Sequence, residues 1–267
     1  MNKIYKFLLI LSWISQSFIL SSQSTGKELL GAWTYEIEGI EGITIFTPTH
    51  VAWLYLNNNR PNLNGKVLSQ ADKAMAFKAT GNIAVSTWKT DGRRASVTYT
   101  NSNDPANIGQ GFSWDYEIRG DYCHYWLIQA DGTRGFAGKF RKLASWEDKT
   151  AFSHLNGIWK YTQMKQGLYF HCANYGIWLI INDPGFKTAT EEDQAHAFEV
   201  INGAAVIAYP GNPSQQAWHV LYSSDPRNEK HTIFTGSRMV QPDLYEFWYD
   251  DGSGKPSDQK WQIQRIN

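Results

Sequence analysis

Apolar and polar residues alternate with a period of two in short runs along this chain, and Gly, Asn and Asp break the runs at close intervals. That pattern predicts antiparallel strands joined by tight turns. In the first half the runs cover 32–36, 50–56, 83–89, 95–100, 112–118, 122–129 and 135–142; in the second, 205–209, 217–222, 233–240, 244–249 and 260–266. Asp91-Gly92, Asp131-Gly132 and Asp251-Gly252 read as hairpin turns. One short helix interrupts each half. Ser69-Gln70-Ala71-Asp72 and Thr190-Glu191-Glu192-Asp193 both set a capping hydroxyl three residues before an acid that reaches back.

The same landmarks occur twice, in the same order. Gly31-Ala32-Trp33-Thr34-Tyr35 returns as Gly157-Ile158-Trp159-Lys160-Tyr161, 126 residues later. Trp53-Leu54 returns as Trp178-Leu179 and Asn57 as Asn182, 125 later. Asp72, Ala74, Ala76 and Phe77 return as Asp193, Ala195, Ala197 and Phe198, and Asp104-Pro105 as Asp225-Pro226, all 121 later. Trp126 returns as Trp248, 122 later. A period this long is that of a small domain rather than of a solenoid unit. The expectation is an all-β chain of two tandem antiparallel barrels, each with one short helix. Their bounds are 23–143 and 154–267, with a linker over 144–153.

A first strand with Gly-x-Trp, a capped helix after an early strand and a strand leading into Asp-Pro resemble the bacterial lipocalin-like domain. The resemblance runs over Leu30–Leu143 and again over Leu155–Ile266. It implies a small barrel or calyx whose lumen holds a ligand, without implying one chemistry.

Residues 1–22 read as a cleavable leader. Lys3 and Lys6 precede an apolar run from Phe7 to Leu20, and Ser21-Ser22 follow, with cleavage before Gln23. The expected location is therefore secreted or periplasmic. No cysteine near the cleavage point offers a lipid anchor, and no later run is long and apolar enough to span a bilayer. Losing two lysines and no acid takes the formal charge from 0 to −2. No basic stripe remains for nucleic acid. Cys123 and Cys172 fall at non-equivalent places in the repeats. They are either a bridge between the copies or two small buried hydrophobes.

Aromatic residues make up 15 % of the chain, including 12 tryptophans. In a secreted β protein they suggest platforms for sugar rings; Trp33, Trp159, Trp53 and Trp178 are instead expected to fill barrel cores. No zinc spacing, nucleophile elbow or phosphate loop occurs, and no cofactor is expected. The polar residues that differ between the copies give the candidate site. His124, Tyr122 and Trp126 share one strand face, and the corresponding positions of the second copy are Glu246, Leu244 and Trp248. At an offset of 122, Arg238 falls where the first copy has Tyr116, and its guanidinium suits either a ligand carboxylate or an ion pair with Glu246. His219, His171 and Tyr175 supply proton-transfer groups.

Two functions follow as expectations. The first is a carbohydrate-active lyase or dehydratase acting by β-elimination on a uronate-containing oligosaccharide. In it His219, His171 or Tyr175 abstracts the proton and His124 assists the leaving group. Arg238, Glu246, Trp248, Trp126 and Tyr116 hold the ligand, in the second lumen or in the cleft between the copies. The second is a non-catalytic carrier of a glycan or small apolar ligand. A purely structural envelope role is a third.

Overall fold

The computed structural model describes residues 26–266, apart from 64–66, 165–166, 182, 184, 202–203, 210–216, 230 and 251–255. The expected leader over 1–22, the repeated Asn182 and the expected turn at Asp251-Gly252 lie outside the described residues. Sixteen strands form two closed antiparallel barrels of eight, each a simple meander. Barrel 1 comprises β1 (Gly31–Tyr35), β2 (Ile40–Phe46), β3 (His50–Asn57), β4 (Thr80–Asp91), β5 (Arg94–Ser102), β6 (Gly111–Arg119), β7 (Tyr122–Ile128) and β8 (Arg134–Ser145). Barrel 2 comprises β9 (Gly157–Tyr161), β10 (Gly167–Cys172), β11 (Tyr175–Ile180), β12 (Ala205–Ala208), β13 (Ala217–Ser223), β14 (Thr232–Gln241), β15 (Leu244–Asp250) and β16 (Pro256–Ile266). Closure removes every free sheet edge within each barrel.

The structure adds strands outside the predicted runs: β9, β10 and β11 in the second half and, in the first, β2. Glycine hides β2: a Cβ at Gly42 would sit 2.0 Å from the Leu54 carbonyl oxygen, so the position must lack a side chain. Both predicted helices form, as α1 (Gln70–Ala79) and α2 (Glu191–Val200), each between the third and fourth strands of its barrel. Both capping boxes close reciprocally, Ser69 with Asp72 and Thr190 with Asp193.

The Gly-x-Trp strands seal one end of each barrel in the same way. A short 3-10 turn, Lys27–Leu29 or Ser153–Leu155, precedes the strand. The indole Nε1 of Trp33 donates to Leu29 O at 2.7 Å, and that of Trp159 to Leu155 O at 2.7 Å. From the last strand, Lys142 Nζ lies 4.8 Å from the Trp33 ring centre and the Arg265 guanidinium 4.2 Å from that of Trp159.

One apolar core joins the two barrels. The outward faces of β2, β3 and β4 present Ile43, Ile45, Ala52, Leu54, Leu56 and Val85; those of β10, β11 and β12 present Phe170, Cys172, Ile177, Leu179 and Val206. Strands buried on both faces read as continuous apolar runs, which is why β3 is buried along nearly its whole length. The helices pack together beside this contact, with Phe77 and Phe198 in one cluster. Equivalent elements thus meet equivalent elements, as in an isologous dimer. Cys123 lies buried in the barrel 1 lumen and Cys172 in the inter-barrel core, and both are free thiols. Burial pushes each thiol up to about 12.

Candidate functional site

Barrel 1 is hollow. Its lumen holds a cavity of about 400 Å³. Trp114, Phe46 and Val97 line its inner part, towards the sealed end. Tyr99, Leu127 and Phe136 line the other end, where the strands open towards the α1 connection. Phe136 is 53 % exposed at that mouth. In barrel 2, among the described residues, the space enclosed by Tyr161, Tyr169, Trp218 and Phe247 is about 10 Å³.

Side-chain volumes at equivalent positions explain the difference. Thr44 pairs with Trp33 across β1 and β2, and Tyr169 pairs with Trp159 across β9 and β10. Val97 and Trp218 each stand seven residues ahead of the repeated Asp-Pro. Thr44 and Val97 therefore leave space that Tyr169 and Trp218 fill. Tyr169 fits because its neighbour is a glycine: a Cβ at Gly176 would lie 2.6 Å from Tyr169 Oη, whereas Val51 stands at the matching place in barrel 1.

The cavity wall is aromatic with a few hydroxyls. Tyr35 and Tyr55 stack at 4.5 Å and 21°, and Tyr125 and Phe140 at 4.9 Å and 21°. The phenols of Tyr35 and Tyr125 meet at 2.7 Å, and Tyr55 bonds Thr44. The indole Nε1 of Trp53 donates to Asn82 Oδ1 at 3.0 Å. Burial holds the phenols of Tyr35, Tyr55, Tyr99 and Tyr125 above their usual range, so they stay protonated. No lining residue is charged and none is histidine.

The sequence-predicted residues do not converge. In β7 the lumen takes Cys123 and Tyr125, so Tyr122, His124 and Trp126 point outward. The Arg134 guanidinium stacks 4.6 Å from the Trp126 ring centre. His219 is exposed on the outer face of β13, where its Nδ1 lies 3.0 Å from Thr232 Oγ1. Tyr175 packs against the inter-barrel core. Tyr116 is buried at the sealed end of barrel 1 with its hydroxyl 3.0 Å from Glu28 Oε1.

His171 alone among the histidines is fully buried, between Tyr169 and Tyr209. Its Nδ1 lies 3.3 Å from Asn156 Oδ1, and its Nε2 has no hydrogen-bond partner among the described residues. Burial, aided by the nearby charges of His154 and Arg265, pushes it down to about 3.

Arg238 does not match Tyr116. Opposite Tyr125 stands Tyr116, and opposite Phe247, its equivalent, stands Ser237; Arg238 faces Glu246 as Glu117 faces His124. The true offset in this strand is 121, and the one-residue slip moved Arg238 from the lumen to the outer face. There it is 61 % exposed and holds Glu246 at 2.9 Å. Glu246 also accepts from Gln262 at 3.2 Å, which with the Arg238 and Lys260 charges keeps its carboxyl below the usual range. Trp248 lies on the same outer face beneath Lys260, 5.7 Å away.

Sequence reasoning missed the cavity residues because Thr44, Val97 and Tyr125 carry no motif; only the volume difference against Tyr169, Trp218 and Phe247 marks them. Among the described residues, no three of His, Cys, Asp and Glu group so as to hold a metal ion. No protein-family model matches the chain, and no curated protein is similar to it.

Proposed function

We propose that this is a secreted, lipocalin-like binding protein that carries a small apolar ligand in the lumen of barrel 1. The observation behind this reading is the asymmetry of the duplication. One lumen keeps a cavity of about 400 Å³ while the equivalent side chains of the other are large enough to fill it. Ligand pockets of roughly this size, apolar with a few placed polar groups, are typical of small-molecule sites. An unused void of that size would cost stability, since lost packing scales with cavity volume.

The lyase reading draws less support. β-Elimination from a uronate needs a base and a cation beside the substrate, and the cavity wall offers neither. The groups assigned to those roles stand on different faces of different barrels.

Val97→Trp tests the carrier reading, because it puts into barrel 1 the residue that fills barrel 2. The variant keeps its fold and melting temperature and loses binding of apolar probes, followed by quenching of tryptophan fluorescence. Unchanged binding places the ligand elsewhere. Incubation of the purified chain with uronate oligosaccharides, watched for ultraviolet absorbance of an unsaturated product, tests the alternative; new absorbance would restore the lyase.

A further inference from the structure

We infer that the ligand of barrel 1 is a neutral, flat, fused-ring molecule bearing a carbonyl-type acceptor, which takes a hydrogen bond from the Tyr35–Tyr125 pair. This rests on the carrier reading of the same cavity. Neutrality follows from the wall. No lining side chain carries a charge, so an ionised ligand would lose its hydration with nothing to replace it. Flatness follows from the way the wall is built. The Tyr35–Tyr55 stack belongs to β1 and β3, the Tyr125–Phe140 stack to β7 and β8, and Tyr99 and Phe112 close the side on β5 and β6. Ring faces and edges on several sides of one space favour another ring system over a flexible chain, which would also lose more rotamer freedom on binding.

The acceptor follows from proton counting. Two phenols joined by one bond at 2.7 Å spend one of their two protons on each other. Neither makes a further hydrogen bond among the described residues, and both remain protonated. One O–H is therefore left to donate into the cavity. Barrel 2 differs at the equivalent positions. Its counterparts of Tyr35 and Tyr125 are Tyr161 and Phe247, so a hydroxyl pair cannot form at these positions. The Thr44–Tyr55 bond is lost with it, since Tyr169 and Ile180 stand there. Barrel 2 has hydroxyl pairs of its own, Tyr169 with Tyr209 at 2.8 Å and Tyr245 with Ser237 at 2.5 Å, but the space beside Tyr169, Tyr209 and Tyr245 is about 10 Å³, whereas the Tyr35–Tyr125 pair borders a cavity of about 400 Å³.

Four probes on the full mature chain decide the class by equilibrium dialysis: 9-fluorenone, its hydrocarbon analogue fluorene, 9-fluorenone-2-carboxylate, and the flexible ketone 2-tridecanone. The expected order puts 9-fluorenone first, about five- to tenfold tighter than fluorene, the usual yield of one neutral hydrogen bond. The carboxylate comes last. In Tyr35→Phe/Tyr125→Phe the preference for fluorenone over fluorene shrinks to within about twofold. Three results would overturn the inference: equal binding of fluorenone and fluorene, tighter binding of the carboxylate or of 2-tridecanone, or a preference that survives the double substitution. Val97→Trp separates the two levels. If it abolishes fluorene binding but no ketone preference is seen, the ligand class is wrong and the site stands. If it leaves binding intact, or if none of the four probes binds, the site falls too.

Discussion

Each of Trp33 and Trp159 ties its barrel shut with two kinds of contact, an indole bond to the preceding turn and a cation held over the ring. Both are fully buried. Replacing either by Ala removes the packing, opens a void and orphans a carbonyl, so each variant loses roughly 3–5 kcal/mol of stability in urea unfolding. A variant that unfolds like the parent but loses ligand would instead mark a binding residue. His171 makes a different prediction. Its folded form stays neutral down to about pH 3, whereas the unfolded chain takes up the proton near pH 6.5. The unfolded state therefore binds more protons between those values, and stability falls as pH drops below 6.5. The slope from this one residue is about 1.4 kcal/mol per pH unit. His171→Phe, which copies Phe46 of barrel 1, flattens the stability profile between pH 6.5 and 4. An unchanged slope would show that other groups set it.

At the scale of elements, the two helices depend on their first turns. Ser69→Ala and Thr190→Ala each break a reciprocal cap and cost about 1 kcal/mol, measurable as a shift in the urea midpoint. Both caps were legible in the sequence because capping is local, involving residues three apart. The duplication was legible for a similar reason, since Gly-x-Trp and Asp-Pro perform fixed local tasks in both copies. Strand β2 was not, because Gly42 interrupts the alternation at the place where the β3 backbone passes closest. The face of Arg238 was misread because the spacing between landmarks changes from 121 to 122 between β14 and β15, and period-two reasoning tolerates no slip. The cavity was illegible for a deeper reason. Emptiness is a property of facing side chains summed across strands, and no single residue announces it. Thr44 in particular looks like an exposed polar position, yet it is buried in the wall.

Taken whole, the molecule divides its labour unevenly between two copies of one architecture. Barrel 1 keeps its interior open, while among the described residues of barrel 2 Tyr169 and Trp218 occupy the equivalent space, and each barrel lends an outer face to the other. The contact between them matches strand with equivalent strand and helix with equivalent helix, which is how two identical one-barrel chains would associate. In a single chain that association is tethered by the short segment after Ser145. Partner supply is then fixed at one per molecule, and dilution cannot dissolve the pair. Cutting the chain between Asp148 and Lys149 and producing the halves together restores bimolecularity. The midpoint of unfolding then shifts with protein concentration, while that of the intact chain does not. What the fusion supplies is independence from abundance: the chain keeps the wall behind the barrel 1 cavity in place however thinly it is spread.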